Sequence, residues 1–234
     1  MRTFVLWDID GTLVSAGQIA EELYDEAFRV VFGREPDAPI ARTISMGGRT
    51  DHDITLELLA RHGMEDGHSH LPAFSSALVD VLESKIEVMR ERGRALPGAK
   101  AALEALEREP DVLQSLLTGN IEPNAAMKLA AFGLDGHVDL EVGGYGSDDH
   151  RRPFLVDVAR RKARAKYGRD FGPSDTVLVG DTPLDIAAGR EGGARVVAVA
   201  TGAYSREQLT DAGADAVLDD LTDTGRALDV ILDR

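Results

Sequence analysis

From residue 96 onward the chain alternates helical stretches with short, apolar, β-branched runs, and this alternation restricts the fold more than any other feature. Helical patterns at 99–108, 123–132, 153–167, 183–189 and 206–212 are interleaved with strand-like runs at 112–117, 176–179, 195–200 and 216–218, and with a weaker one at 138–142. Parallel neighbours need a crossover, usually a helix, and strands buried on both faces read as continuous apolar runs. The pattern therefore predicts an α/β fold whose parallel sheet is covered on both sides. One further strand, Phe4-Val5-Leu6-Trp7, stands apart from the rest. Between it and residue 96 lie three helical patterns, 18–32, 51–62 and 74–92, stopping at Gly33, Gly63 and Gly93 with no strand among them. They read as an insertion with joints near 14–17 and 95–98. The expected organisation is a core of residues 1–14 and 98–234 and a helical unit of residues 15–97.

Composition excludes several functions. At 234 residues and 43% hydrophobic, the chain can bury one sizeable core and a smaller module. With no cysteine it has no thiolate nucleophile, disulfide or cysteine-ligated zinc. A net charge of -15 argues against nucleic-acid and anionic-membrane surfaces, while leaving room for a local basic pocket. Neither a signal peptide nor a membrane-length apolar span is visible, so a cytoplasmic protein is the expectation.

The chemistry-bearing residues lie where the predicted strands end, which is where parallel sheets place their ligands. The first strand stops at Asp8-Ile9-Asp10-Gly11, and side-chain alternation lets the two carboxylates face one crevice, one to attack and the other to shuttle a proton. Thr118-Gly119-Asn120 brings a hydroxyl, a glycine and an amide to the end of another strand, before a helix opened by Pro123. Arg151 and Arg152 precede Pro153 at a further helix start, where a guanidinium can neutralise a phosphoryl group. Gly180-Asp181-Thr182-Pro183-Leu184-Asp185 repeats the strand, glycine, carboxylate arrangement. Asp181 and Asp185, with Asp8 and a main-chain carbonyl from Asp10, make an all-oxygen set suited to a hard divalent ion such as magnesium.

Taken in order, Asp8-Ile9-Asp10-Gly11-Thr12, Thr118-Gly119-Asn120, Arg152-Pro153 and Gly180 to Asp185 resemble the four motifs of the haloacid dehalogenase (HAD) superfamily. The resemblance runs the length of the chain. The segments 199–205 and 212–215 resemble the tail of its phosphoglycolate-phosphatase-like branch, and the inserted helices match a cap placed after the first motif. It implies a Rossmann-like HAD core with an inserted α-helical cap, acting as a magnesium-dependent phosphatase on a small phosphorylated metabolite. Asp8 would be the nucleophile that forms an aspartyl-phosphate, and Asp10 the acid and base. Thr118 and Arg152 would complete the phosphoryl cradle with Gly119 and Asn120, and Asp8, Asp10, Asp181 and Asp185 would form the Mg2+ site. Metal-free dehalogenases of the family lack the second aspartate, so Asp10 favours phosphoryl transfer. A phosphosugar mutase resembling β-phosphoglucomutase stays open as the alternative, and a non-catalytic binding module as a remoter one.

The third motif departs from the commonest pattern, which has lysine before proline. Which of the two arginines faces inward is open; Arg152 is favoured because it directly precedes the proline. In the insertion, Gly47-Gly48-Arg49-Thr50-Asp51 joins two helices, with Thr50 or Asp51 expected to cap the second. Arg49 is a candidate for reading a second anionic group on the substrate. His68-Ser69-His70, with Gly67 and Pro72 around it, is expected to be a solvated turn.

Overall fold

The computed structural model describes residues 2–234. Its elements in chain order are β1 (Thr3–Trp7), β2 (Val14–Ser15), α1 (Ile19–Phe32), α2 (Asp51–Arg61), α3 (Gly67–Arg92), β3 (Arg94–Ala95), α4 (Ala99–Glu107), β4 (Val112–Thr118), α5 (Glu122–Ala131), β5 (Gly144–Tyr145), α6 (Phe154–Tyr167), β6 (Thr176–Gly180), α7 (Pro183–Glu191), β7 (Arg195–Val199), α8 (Arg206–Asp211), β8 (Ala216–Leu218) and α9 (Thr224–Leu232). Six strands form one parallel sheet in the order β5-β4-β1-β6-β7-β8.

Alternation along β1 explains the two covered faces. Val5 and Trp7 pack with Ala102, Leu103 and Leu106 of α4 and Ala227 and Ile231 of α9, whereas Phe4 and Leu6 pack with Leu155, Val156 and Ala159 of α6. Trp7 is wholly buried, and its Nε1 donates to Gln114 Oε1 at 3.1 Å, so the indole satisfies a polar residue inside β4.

Helices α1, α2 and α3 gather a separate apolar cluster around Leu23, Phe28, Leu58, Phe74, Leu78 and Leu82, which Ile121 joins from the start of α5. Where the chain enters and leaves this group, β2 and β3 form a two-residue antiparallel ladder, Val14 opposite Ala95 and Ser15 opposite Arg94.

Two local expectations are corrected. The weak strand at 138–142 is a single 3-10 turn over Leu140–Val142, because Asp139 accepts from Glu141 N and starts the turn. The sheet pairing falls instead on Gly144 and Tyr145. Likewise, α3 begins at Gly67, so His68 and His70 are helical and do not form a turn. Pro72 sits inside this helix at an exposed position, and His68, whose carbonyl loses its donor there, is exposed too.

Candidate active site

Strand β1 is hydrogen-bonded to β4 on one side and to β6 on the other, with Trp7 in register with Leu116 and Val179. The carboxyl ends of these three strands therefore meet at one rim, which brings Asp8, Thr118 and Asp181 together from distant parts of the chain. Asp185 reaches the same point from the first turn of α7. Its Oδ2 accepts from Thr182 N at 3.0 Å and Thr182 Oγ1 at 2.7 Å in a capping box, so a helix cap and a site carboxylate are one residue.

Arg152, at the start of α6, is the inward arginine. Its Nη2 donates to Asp8 Oδ1 at 2.6 Å, to Asp185 Oδ1 and to Leu117 O at 3.3 Å, while Nη1 donates to Gly48 O at 3.0 Å. Arg151 points outward, paired with Asp149 and stacked 3.8 Å above the Phe154 ring. One residue separates their fates. The backbone that starts α6 turns the side chain next to Pro153 toward the sheet and the preceding one to solvent.

Asp10 occupies a different environment from Asp8. Lys128 Nζ lies 2.9 and 2.7 Å from its two oxygens, and Asn120 Nδ2 donates to Oδ2 at 2.8 Å. Asn120 also bridges back, accepting from Lys128 at 2.7 Å through Oδ1 and donating to Thr118 Oγ1 at 2.8 Å. Its amide is fully used. The result is a chain of contacts, Thr118 to Asn120 to Lys128 to Asp10, that fixes the direction in which the second carboxylate points.

Oxygens of Asp8, Asp181 and Asp185 lie within 4.8 Å of one another, and all three residues are buried. Burial pushes the Asp8 carboxyl up; the Arg152 guanidinium opposes this, and Asp185 and Asp10 add to it. Burial likewise raises Asp181, helped by Asp8 and Asp185 and resisted by the Thr12 hydroxyl, which donates to its Oδ1 at 3.0 Å, and by Arg152. Three like charges against one guanidinium leave a surplus of negative charge out of water, which a divalent cation offsets. An all-oxygen donor set is also what such a hard ion takes, so these residues fit a magnesium-type ion. Asp10 is outside the carboxylate cluster, since its side chain is engaged by Lys128.

Two glycines are fixed by close approach. Gly11, at φ +88°, would place a Cβ 2.3 Å from Asp181 Oδ2. At Gly119 a Cβ would stand 1.9 Å from Arg49 O, so the loop joining the first two inserted helices lies directly on the second motif. Hydrogen bonds hold that contact: Asp51 N donates to Gly119 O at 2.7 Å, Ile121 N to Asp51 Oδ2 at 2.8 Å, and Thr50 Oγ1 to His150 O at 2.7 Å. Thr50 caps α2 as expected, accepting from Asp53 N, whereas Asp51 is half-buried and also receives the Tyr24 hydroxyl at 2.6 Å. The Arg49 guanidinium turns onto Asp53 at 2.6 Å and Glu57 at 2.5 Å, so it is already neutralised where the loop meets the cavity.

Lys128, Tyr24 and Asn124 have no counterpart among the residues picked out from the sequence, and Asp51 was picked out only as a helix cap. A signal existed for two of them: Asn124 and Lys128 are four apart, and they share the buried side of α5 with Ala125 and Leu129. Polar residues inside an apolar helix face need partners, which marks such a face as a site wall.

A family model described as haloacid dehalogenase-like hydrolase matches residues 5–190. The chain belongs to that family of hydrolases. No curated protein matches it. Among solved structures, a hydrolase from Pseudomonas syringae aligns with a TM-score of 0.68 at 25% identity over 99% of each chain. A predicted phosphoglycolate phosphatase from Haemophilus somnus aligns at TM-score 0.62 and 20% identity over 97% of each chain. A provisionally named β-phosphoglucomutase from Bacteroides vulgatus aligns at 0.69 and 18% identity, covering 99% of this chain and 89% of its own. At these last two identities the likeness is one of fold.

Proposed function

We propose that this chain is a magnesium-dependent phosphatase of a small phosphorylated metabolite, working through an aspartyl-phosphate on Asp8. The observation that carries the reading is the asymmetry between the two leading aspartates. Asp8 is buried against the Arg152 guanidinium, and Asp10 stands two residues on with its carboxylate aimed by Lys128 and Asn120. The family and the name of the aligned phosphoglycolate phosphatase agree with it.

In this mechanism an Asp8 oxygen attacks phosphorus as the bond to the leaving oxygen breaks, and Asp10 gives that oxygen a proton. Water then attacks the phosphoaspartate, Asp10 takes its proton back, and the Asp8 oxygen leaves with inorganic phosphate as the other product. Arg152 and Thr118 bear on the transferring group, Gly119 and Asn120 line it, and Arg152 screens Asp8 from the phosphate's charge. Asp8, Asp181 and Asp185, with the main-chain carbonyl of Asp10, would hold magnesium, which would offset repulsion between nucleophile and phosphate. Residues 15–97 would serve as a cap on a core of 1–14 and 98–234, excluding bulk water when seated as Gly48, Thr50 and Asp51 are here.

The test is phosphate release with magnesium over a panel of phosphomonoesters, with products identified. Free phosphate and alcohol support hydrolysis. An isomerised sugar phosphate without net phosphate release would replace this reading with the mutase.

Metal dependence has a pH signature. A carboxyl raised by folding contributes stability that is full below its unfolded value, ordinarily 3.8, and that is lost as pH rises through the raised folded value. Metal-free protein should therefore weaken as pH climbs from acid toward neutrality, where Asp8 and Asp181 must ionise together. Magnesium requires the ionised forms, so the rise in Tm it produces is expected to be larger at about pH 8 than at about pH 5.5. Equal rises at both, measured by scanning calorimetry against an EDTA control, would remove the metal from this carboxylate cluster.

A further inference from the structure

The phosphatase reading leaves the leaving group undefined, and the wall opposite the phosphoryl site narrows it. Behind Asp8 and Asp10 lies a cavity of about 290 Å³, the scale of a small metabolite. Its far wall is apolar, built from Ala20, Leu23, Met46, Ile54 and Leu78, with the Tyr24 ring among them.

Three cations also reach this cavity, and each is already matched by carboxylates. Arg152 is shared by Asp8 and Asp185, Lys128 is held by both oxygens of Asp10, and Arg49 lies between Asp53 and Glu57. A second carboxylate or phosphate on the substrate would thus be desolvated beside apolar side chains with no unmatched cation, among the described residues lining the cavity, to receive it. An ammonium fares no better. The one carboxylate on the far side, Asp51, already interacts with the Lys128 charge and accepts the Tyr24 hydroxyl and the Ile121 amide.

One polar atom in this wall lacks a partner. Asn124 is 3% exposed; its Nδ2 faces Leu78 O at 3.4 Å, and its Oδ1 has no hydrogen bond. The Leu78 carbonyl, inside α3, can take Nδ2 as a second donor but would repel Oδ1, which orients the amide and leaves Oδ1 as a buried acceptor on a residue that lines the cavity. Such an acceptor is satisfied by a donor on a bound molecule.

We propose that the leaving group is a small uncharged alcohol with an apolar body and a single hydroxyl or amide donor that meets Asn124 Oδ1. Asn124 then selects substrate, and the closed charge pairs reject anionic leaving groups such as a carboxylate. The inference rests on the phosphatase reading for the position of the phosphoryl end, and it concerns only what lies beyond it.

Binding of two-carbon phosphonates to the magnesium-loaded full chain, followed by calorimetry, tests the proposal without needing turnover. The probes are ethylphosphonate, 2-hydroxyethylphosphonate, phosphonoacetate and 2-aminoethylphosphonate. The hydroxyl compound is expected to bind tightest and ethylphosphonate next, with the two charged compounds at least about tenfold weaker than ethylphosphonate. Asn124→Leu should bring the hydroxyl compound down to the level of ethylphosphonate, so that the variant no longer tells the two apart. Phosphonoacetate or 2-aminoethylphosphonate binding as tightly as ethylphosphonate would overturn the proposal, and so would a wild-type chain that ignores the hydroxyl or binds none of the four. If Asn124→Leu does not fold, the wild-type order still decides. A chain that shows the expected order yet releases phosphate from no ester would instead count against the phosphatase reading alone.

Discussion

Asp8→Asn is expected to abolish phosphate release and, in the absence of metal, to raise the melting temperature. The amide cannot form the acyl-phosphate, so turnover should fall on the order of 10⁴-fold or more. Stability should move the other way, because the wild-type carboxylate is buried beside Asp181 and Asp185 and its charge is opposed by burial first and by its neighbours second. Asparagine keeps an oxygen to accept from Arg152 Nη2 and removes one of the crowded charges. At about pH 8 without magnesium the gain should be on the order of a few kcal/mol, or several degrees in Tm. Magnesium should narrow or reverse the difference, since the variant loses an anionic ligand. Phosphate release within tenfold of wild type would end the role of Asp8 as nucleophile, and a metal-free variant less stable than wild type at that pH would end the account of crowding.

Arg152→Met carries the second large effect, on folding as much as on rate. Methionine fills similar volume but strands Asp8 and Asp185 as buried carboxylates and frees the carbonyls of Leu117 and Gly48. Breaking a buried pair by removing one partner costs about 3–5 kcal/mol, because the remaining charge stays out of water. Urea denaturation at neutral pH should show that loss, and added magnesium should recover part of it by supplying positive charge to the same oxygens. Arg152→Lys should lie between the two proteins, since one ammonium cannot serve four acceptors on separate elements. A loss below about 1 kcal/mol in Arg152→Met would place the stabilising charge elsewhere. The same substitution in Arg151, which is exposed and pairs with Asp149, serves as the control.

How much of this was legible in the sequence follows from where each residue sits. Asp8, Asp181 and Arg152 stand immediately beside strand ends or a helix start, so Gly180 and Pro153 next to two of them, and Gly11 three residues after the first, announce the geometry and the parallel sheet then supplies the proximity. The α/β alternation was readable for the same reason, since periodicity reports burial directly. Lys128, Asp51 and Tyr24 sit on helices: Lys128 reaches Asp10 from α5, and Asp51, with the Tyr24 hydroxyl on it, comes to the same place because the 47–51 loop folds onto Gly119. Nothing local encodes such a meeting. The misplaced strand at 138–142 and the late start given to α3 share another cause: a side-chain cap at Asp139 and an exposed Pro72 let tertiary context override pattern. Arg49 was singled out for its charge, and what its surroundings add is that Asp53 and Glu57, one and two turns along α2, claim that charge first.

The short ladder between Val14 and Ala95 lies three intervening residues beyond Asp10, and that stretch is tied down where Gly11 N donates to Val14 O at 2.9 Å and Thr201 Oγ1 to Gly11 O at 2.6 Å. If residues 15–97 act as the proposed cap, a swivel about this ladder would be felt at Asp10 through the anchored backbone of residues 11–14. Opening of the cap and strain on the loop that carries Asp10 would then be coupled, so a hinge substitution at Val14 or Ala95 would be expected to alter turnover without touching the carboxylates.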